Sequence, residues 1–319
     1  MWYRYLLLLF AFTAGQAQNG SKAQTWRAPR TPDGQPDLQG IWTNTTLTPF
    51  ERPGDLANKE FFTVEEAAAY SKRVQLQQNR DKRGATAEED VGGAYNDAWF
   101  DRGSSVSSNR RTSVVIDPKD GRVPALTADA AKAAGVRAAI VRRPAESARD
   151  FTNNVRSLLW GTAGPPMLPG PYNNNYQIFQ TKDYVAIQIE MIHDTRIIPL
   201  DGRAHPPADV RQWMGDSLGH WEGETLVVDT KNFRDDTNFR GADGNLHLVE
   251  RFTRSAPDVV TYQFTLDNPT AFTRPWTGEL MMTSAPGPLF EYACHEGNEA
   301  LVNMLKGARA QEKAAVSPH

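Results

Sequence analysis

Apolar and polar residues alternate in short runs through the second half of the chain, a period of two that is typical of half-buried β-strands. Turn residues separate the runs, among them Asp201-Gly202 and Glu222-Gly223. The runs predict strands at 176–181, 184–192, 195–199, 217–221, 225–230, 246–254, 259–266, 276–284 and 289–295. Successive antiparallel strands form a meander, and closing it into a calycin- or lipocalin-like barrel removes exposed edges. The pattern therefore predicts an all-β barrel, with a β-sandwich as the alternative.

The first half of the chain carries helix signals and long polar loops. A strand is predicted at 40–43, and the capping box Thr63-Val64-Glu65-Glu66 predicts a helix to about residue 83. Thr127 can cap an Ala-rich helix to about residue 141, and a turn at 117–121 predicts a hairpin of 113–116 with 122–126. A short C-terminal helix is predicted at 298–310. Residues 18–171 would thus pack on a barrel at 172–310, followed by a disordered tail at 311–319.

The first seventeen residues resemble a secretory signal. Arg4 precedes an apolar run at 6–14, and the small residues Gly15 and Ala17 fit the positions that a signal peptidase reads. That run is too short to span a hydrocarbon core of about 30 Å. Residues 1–17 therefore predict a cleaved signal peptide and a periplasmic or secreted protein that begins near Gln18. The alternative is an uncleaved anchor.

Composition narrows the function classes. A net charge of −3 over 319 residues leaves no basic patch for nucleic acid, and no other apolar run is long enough to span a membrane. The single cysteine, Cys294, excludes an internal disulfide, and its place in the predicted strand 289–295 predicts a buried, inert thiol. No phosphate loop, dinucleotide fingerprint or haem motif occurs, so no cofactor is expected. Oligomeric state stays open.

Several strings together resemble a family of exported bacterial proteins. They are 36–42 (PDLQGIW), 173–178 (NNNYQI), 190–194 (EMIHD), 196–203 (RIIPLDGR), 221–230 (WEGETLVVDT), 250–252 (ERF) and 292–298 (YACHEGN). The resemblance covers most of the chain after the signal segment and implies export without implying a reaction. Similar proteins often carry a cysteine in the stretch 155–158, where this chain has Ser157. The resemblance therefore implies that a bridge from that stretch to Cys294 is absent here.

Strand phase singles out a histidine as a candidate general base. His193 continues the aliphatic face of the predicted strand 184–192, where desolvation would keep an imidazole neutral. A neutral histidine near pH 7 suits general-base catalysis, with Asp194 or Glu190 to orient it. The alternative is a core histidine bonded to backbone, or a residue of a turn.

A carboxyl group on another strand is the candidate acid. Glu250 shares a face with Leu248 and Phe252, so burial should raise its pKa and let it donate a proton. His295 is a second candidate acid. The alternative for Glu250 is an ion pair with an arginine from another strand. As an enzyme, the protein would bring His193 and Glu250 to one cavity.

These candidates favour an exported enzyme that uses acid–base chemistry, of the lyase, isomerase or hydratase type, on a small and largely apolar or aromatic molecule. The predicted substrate-binding residues are Tyr176, Glu190, Arg196, Trp221, His247, Arg251 and Tyr292. One alternative is a periplasmic binding barrel without catalysis. Another is a hydrolase that uses a metal held by distant histidines, or Ser217 in the elbow-like string at 215–219. No residue is assigned as a metal ligand.

Overall fold

The computed structural model describes residues 26–81, 85–92, 96–161, 163–236 and 239–316. The predicted signal peptide lies outside these residues. The described ranges contain four α-helices, α1 (Val64–Gln78), α2 (Ala87–Gly92), α3 (Ala128–Arg142) and α4 (Ala300–Val316). The strands are β1 (Gly40–Thr43), β2 (Val115–Asp117), β3 (Asn175–Gln180), β4 (Tyr184–Ile189), β5 (Thr195–Pro199), β6 (Asp216–Glu222), β7 (Thr225–Lys231), β8 (His247–Ala256), β9 (Val259–Asp267) and β10 (Trp276–Ser284).

The strands form one antiparallel sheet that nearly closes into a barrel, which confirms the predicted all-β fold. The strand order is β5-β4-β3-β1-β10-β9-β8-β7-β6, with β2 paired to β10 beside this path. The meander is interrupted once, because β1 lies between β3 and β10. The N-terminal segment therefore contributes strands to the sheet as well as helices and loops.

Alternation along each strand places one face in the barrel interior. On β8, Leu248, Glu250 and Phe252 are buried, and the register pairs Glu250 with Phe264 and Phe252 with Tyr262. Large side chains fill the interior, among them Trp42, Tyr176, Ile178, Ile187, Ile189, Phe252, Tyr262, Phe264 and Trp276. Each such side chain contributes about 1.5–3 kcal/mol on burial. The barrel is thus a packed core.

Both predicted helix caps are present. At α1, Glu66 N donates to Thr63 Oγ1 over 3.2 Å and Thr63 N donates to Glu66 Oε2 over 2.8 Å. At α3, Ala130 N donates to Thr127 Oγ1 over 3.2 Å. These bonds satisfy amide groups that have no partner within the helix, and they define where each helix begins. No helix among the described residues is long and apolar enough to cross a membrane.

Three predicted elements need correction. The hairpin at 113–126 is absent, because β2 pairs with β10 and residues 122–125 form no strand. Residues 289–295 form no strand either, since the amide of Phe290 donates to the side chain of Glu190 and not to a neighbouring strand. The last helix continues to Val316, so residues 311–316 are helical and the predicted disordered tail is wrong there.

The ends of the sheet meet at a seam between β5 and β6. Eight antiparallel steps separate these two strands, so they run in the same direction and cannot continue the antiparallel ladder. Gly219 permits their close approach, because a Cβ there would lie 2.9 Å from Ile198 Cγ2 and 2.8 Å from Leu200 Cδ2. At the other end of the seam, where β5 and β6 begin, the surface opens into a cleft.

Candidate functional site

A buried ion pair crosses the barrel interior behind the seam. Arg196 of β5 and Glu250 of β8 have side-chain exposures of 2% and 0%. Arg196 donates from Nη1 to Oε1 over 3.0 Å and from Nη2 to Oε2 over 2.5 Å. Tyr262 donates its hydroxyl to Glu250 Oε1 over 2.8 Å and accepts from the amide of Met167 over 2.9 Å. Glu250 is therefore buried, as predicted, with both oxygens bonded.

The same arginine fastens the seam. Arg196 Nη2 also donates to Ser217 Oγ of β6 over 3.1 Å, and Ser217 Oγ lies 2.9 Å from Thr230 Oγ1. Burial lowers the pKa of Arg196, but the Glu250 carboxylate outweighs this effect and raises the pKa above its ordinary value. Arg196 is thus a paired cation that joins β5 to β6 and β8. Of the two roles considered for Glu250, the structure favours the ion pair over the general acid.

His193 does not reach the barrel interior. Strand β4 ends at Ile189, and residues Met191–His193 form a short 3-10 turn that points the imidazole outward. His193 is exposed, and its Nε2 lies 3.1 Å from Gln188 Nε2. The prediction of a desolvated His193 is therefore wrong, because the strand on which it depends stops before this residue. His193 and Glu250 do not share a cavity.

The turn that removes His193 from the strand is strained. Ile192 and His193 have φ values of +64° and +65°, and this left-handed region is unusual for a β-branched residue. The adjacent Glu190 connects the turn to two other segments. It is 2% exposed and accepts hydrogen bonds from Asn175 Nδ2 over 2.8 Å and from Phe290 N over 3.0 Å. Glu190 is thus a structural anchor. Strain of this kind concentrates at functional sites.

Asp194 follows the strained turn directly. Its backbone is extended and it lies two residues before Arg196, so both side chains project to the same side of the chain. The carboxyl group is half-buried, and among the described residues it has no hydrogen-bond or ion-pair partner. Burial raises the pKa of Asp194 above its ordinary value. Asp194 is therefore a carboxyl group available for proton transfer.

Asp194 lies in the cleft at the open end of the seam, which we call the seam cleft. Its volume is about 590 Å³. Arg234 stacks over Trp213 at 4.3 Å from the ring centroid, Arg234 Nε donates to Asp236 over 2.9 Å, and Arg211 donates to Asp235 over 3.0 Å. The residues that carry charge or aromatic surface into the cleft are Asp194, Arg196, Arg211, Trp213, Asp216 and Arg234.

Ser217 also lines the seam cleft but lacks the setting of a nucleophile. It lies within β6, whereas a nucleophile elbow requires a strand-to-helix turn. Its side chain is bonded to Arg196 and Thr230, and no histidine of the described chain bonds to it. These contacts therefore do not support the hydrolase alternative based on Ser217.

Two histidines and two aspartates form a chain on the outer face of the barrel. The ring nitrogens of His205 lie 2.6 Å from Asp216 Oδ2 and 2.8 Å from Asp229 Oδ1, and His247 Nε2 lies 2.6 Å from Asp229 Oδ2. Burial raises the pKa of Asp229, but hydrogen bonds from His247 and His205 outweigh it and hold the pKa well below its usual range. His247 is thus engaged outside the seam cleft. Within the described part of the chain, no group of three or more such side chains is arranged to hold a metal ion.

Three of the predicted substrate-binding residues lie in the sheet, where each contacts other residues of the protein. Tyr176 is 1% exposed and accepts from Asn44 Nδ2 over 3.2 Å, and burial raises the pKa of its hydroxyl. Trp221 is half-buried against the core. Arg251 donates to Glu222 over 2.8 Å at the surface. The structure does not bring these residues to the seam cleft.

The C-terminal segment differs from its predicted strand. His295 is exposed, and Tyr292 is half-buried beside Tyr172, where burial and this neighbour raise the pKa of Tyr292 to about 12. Cys294 is half-buried and in no strand, so the premise of a thiol buried in mid-strand is wrong. Ser157 donates from Oγ to the carbonyl of Cys294 over 3.3 Å. The segment therefore packs on the stretch 155–158.

Residues of the seam cleft that the sequence pattern did not single out come from the β5–β6 loop and the stretch after β7. Arg211 and Arg234 belong to no periodic run, and no motif marks them. Their approach to Asp194 depends on how the loop folds back over the seam. Comparison of the chain with family models, with curated proteins and with solved structures found no match.

Proposed function

We propose that the protein is an enzyme that binds a small molecule in the seam cleft and transfers a proton with Asp194. One observation carries the proposal: a half-buried carboxyl group with a raised pKa lies in the cleft without a partner among the described residues. A carboxyl group in this place can reach a molecule bound in the cleft, and partial burial makes it a stronger proton acceptor than an ordinary aspartate. The strained turn at Ile192 and His193 supports the same assignment, since strain is retained where a side chain must be positioned.

The cleft suits proton abstraction from carbon. Asp194, as the carboxylate, would take a proton from a carbon next to a carbonyl group. The guanidinium groups of Arg211 and Arg234 would stabilise the negative charge that develops on oxygen. Return of the proton to another atom gives an isomerase, and loss of a leaving group gives a lyase. The polar lining favours a substrate with polar groups over the largely apolar one that the sequence predicts.

A binding protein without catalysis is the second candidate. The filled interior leaves no room for a ligand inside the barrel, so such a protein would also use the seam cleft. The aromatic face of Trp213, covered by Arg234, favours neither candidate alone. The two candidates differ in whether Asp194 exchanges protons with the bound molecule.

Deuterium exchange distinguishes them. The purified mature protein is incubated in D2O with a panel of small keto and hydroxy acids, and loss of carbon-bound protons is followed by 1H NMR. We expect Asp194→Asn to slow exchange about 100-fold or more, as is usual when a general base is removed. The rate should fall as the pH drops through the raised pKa of Asp194, because the protonated acid cannot accept a proton.

The matched control is Asp183→Asn. Asp183 is exposed in the turn between β3 and β4 and does not line the cleft. Its replacement by asparagine removes the same charge as Asp194→Asn does. Exchange should be unchanged in this variant. Equal rates in wild type and Asp194→Asn, or no exchange for any compound of the panel, would contradict the proposal.

Export is part of the proposed function. We expect the mature protein to begin near Gln18, because Gly15 and Ala17 fit the residues that precede a signal-peptidase cleavage site. N-terminal sequencing of protein recovered from the periplasm or medium measures this directly. Recovery of chains that start at Met1 would contradict cleavage at this position.

A further inference from the structure

A second cleft adjoins the seam cleft. It lies between α3 and the stretch 149–161, has a volume of about 950 Å³, and shares Arg234 with the seam cleft. Three further arginines line it: Arg137, Arg149 and Arg156. We call it the arginine cleft. A small molecule that extends past Arg234 would therefore occupy both clefts.

The arginine cleft carries more positive than negative charge, since four arginines and three aspartates line it. Each aspartate pairs with an arginine: Asp150 lies 3.5 Å from Arg143, Asp235 pairs with Arg211, and Asp236 pairs with Arg234. In contrast, the side chains of Arg137, Arg149 and Arg156 form no hydrogen bond or ion pair within the described chain. The hydrogen bond from Arg234 lowers the pKa of Asp236, and the charge of Arg156 helps to lower it. Three unpaired cations around one cavity repel each other, and an anion between them would relieve this repulsion.

We infer that the arginine cleft binds a phosphoryl group, the dianionic end of the small molecule whose reacting carbon lies in the seam cleft. The identity of that molecule as substrate rests on the proposed function, whereas the anion site rests on the three arginines alone. A guanidinium group presents a planar fork of donors that matches phosphate oxygens in pairs. A dianion also balances three guanidinium charges better than a single carboxylate does.

Titration with inorganic phosphate tests the site. Binding to the mature protein is measured by isothermal calorimetry at fixed ionic strength, with wild type, Arg149→Gln and Arg156→Gln compared. We expect saturable binding in wild type and a loss of at least about fivefold in affinity in each variant, because each removes a charge-assisted hydrogen-bond donor. Arg142→Gln is the matched control: Arg142 is exposed on α3, carries the same charge and does not line the cleft.

The outcomes separate this inference from the proposed function. An equal loss of affinity in Arg142→Gln, or no saturable binding in wild type, would overturn the anion site. Malonate binding as tightly as phosphate would overturn the phosphoryl assignment. Asp194→Asn should retain phosphate binding, so phosphate binding without proton exchange would reject the proposed function and leave the arginine cleft standing.

Discussion

Replacing Arg196 with methionine should lower the free energy of unfolding by about 3–5 kcal/mol, the usual cost of breaking a buried ion pair from one side. The substitution leaves Glu250, with no exposed surface, as an uncompensated charge in the core. It also removes the bond to Ser217 that joins β5 to β6 across the seam. Urea denaturation followed by tryptophan fluorescence measures the loss as a lower transition midpoint.

Arg251, the residue after Glu250 on β8, supplies the control. It pairs with Glu222 at the surface, with side-chain exposures of 40% and 49%. Exposed pairs contribute about 0–1 kcal/mol, so Arg251→Met should change stability little. The double variant Arg196→Met/Glu250→Leu should recover most of the loss, because both charges leave the core together. Equal losses for Arg196→Met and Arg251→Met would contradict the role of the buried pair.

This expectation differs from the one that follows from the sequence. As a general acid, Glu250 would tolerate replacement by glutamine with its stability intact. As the partner of Arg196, it would not, since Glu250→Gln leaves the guanidinium group buried without a counter-charge. The alternation of β8 predicts burial of Glu250. It cannot predict the partner, which lies 54 residues away on a strand that meets β8 only through the barrel interior.

The strands of the barrel were predictable because buried and exposed residues alternate with period two within each strand. Strand β1 was also predictable, but its position between β3 and β10 was not, because four residues cannot specify their neighbours. The predicted strand at 289–295 failed for a local reason. Tyr292 packs against the core, but Phe290 is 68% exposed, and the amide of Phe290 bonds to Glu190 instead of to a neighbouring strand.

The candidate site was less predictable than the fold. Asp194 was identified, but as a residue that orients His193, and the structure instead leaves its carboxyl group in the seam cleft. The aliphatic face of β4 continues in the sequence to His193, whereas the backbone reverses at Glu190. Arg211 and Arg234 reach the cleft from irregular segments, where side-chain direction follows from tertiary contacts such as the bond from Arg211 to Asp235.

Replacing Ser157 with cysteine should create a disulfide with Cys294 and raise the free energy of unfolding by about 2–4 kcal/mol. Ser157 Oγ lies 3.3 Å from the carbonyl oxygen of Cys294, so the two residues are already neighbours in the fold. The bond would close a loop of 137 residues, which restricts the unfolded chain strongly. Intact mass under non-reducing conditions, together with denaturation with and without reductant, measures both effects.

Ser108→Cys is the control, since Ser108 is exposed and makes no contact with Cys294 among the described residues. This variant should keep two free thiols and an unchanged denaturation midpoint. Two free thiols in folded, oxidised Ser157→Cys would contradict the prediction. Formation of the bond would show that the stretch 155–158 and the C-terminal segment are in register for a bridge.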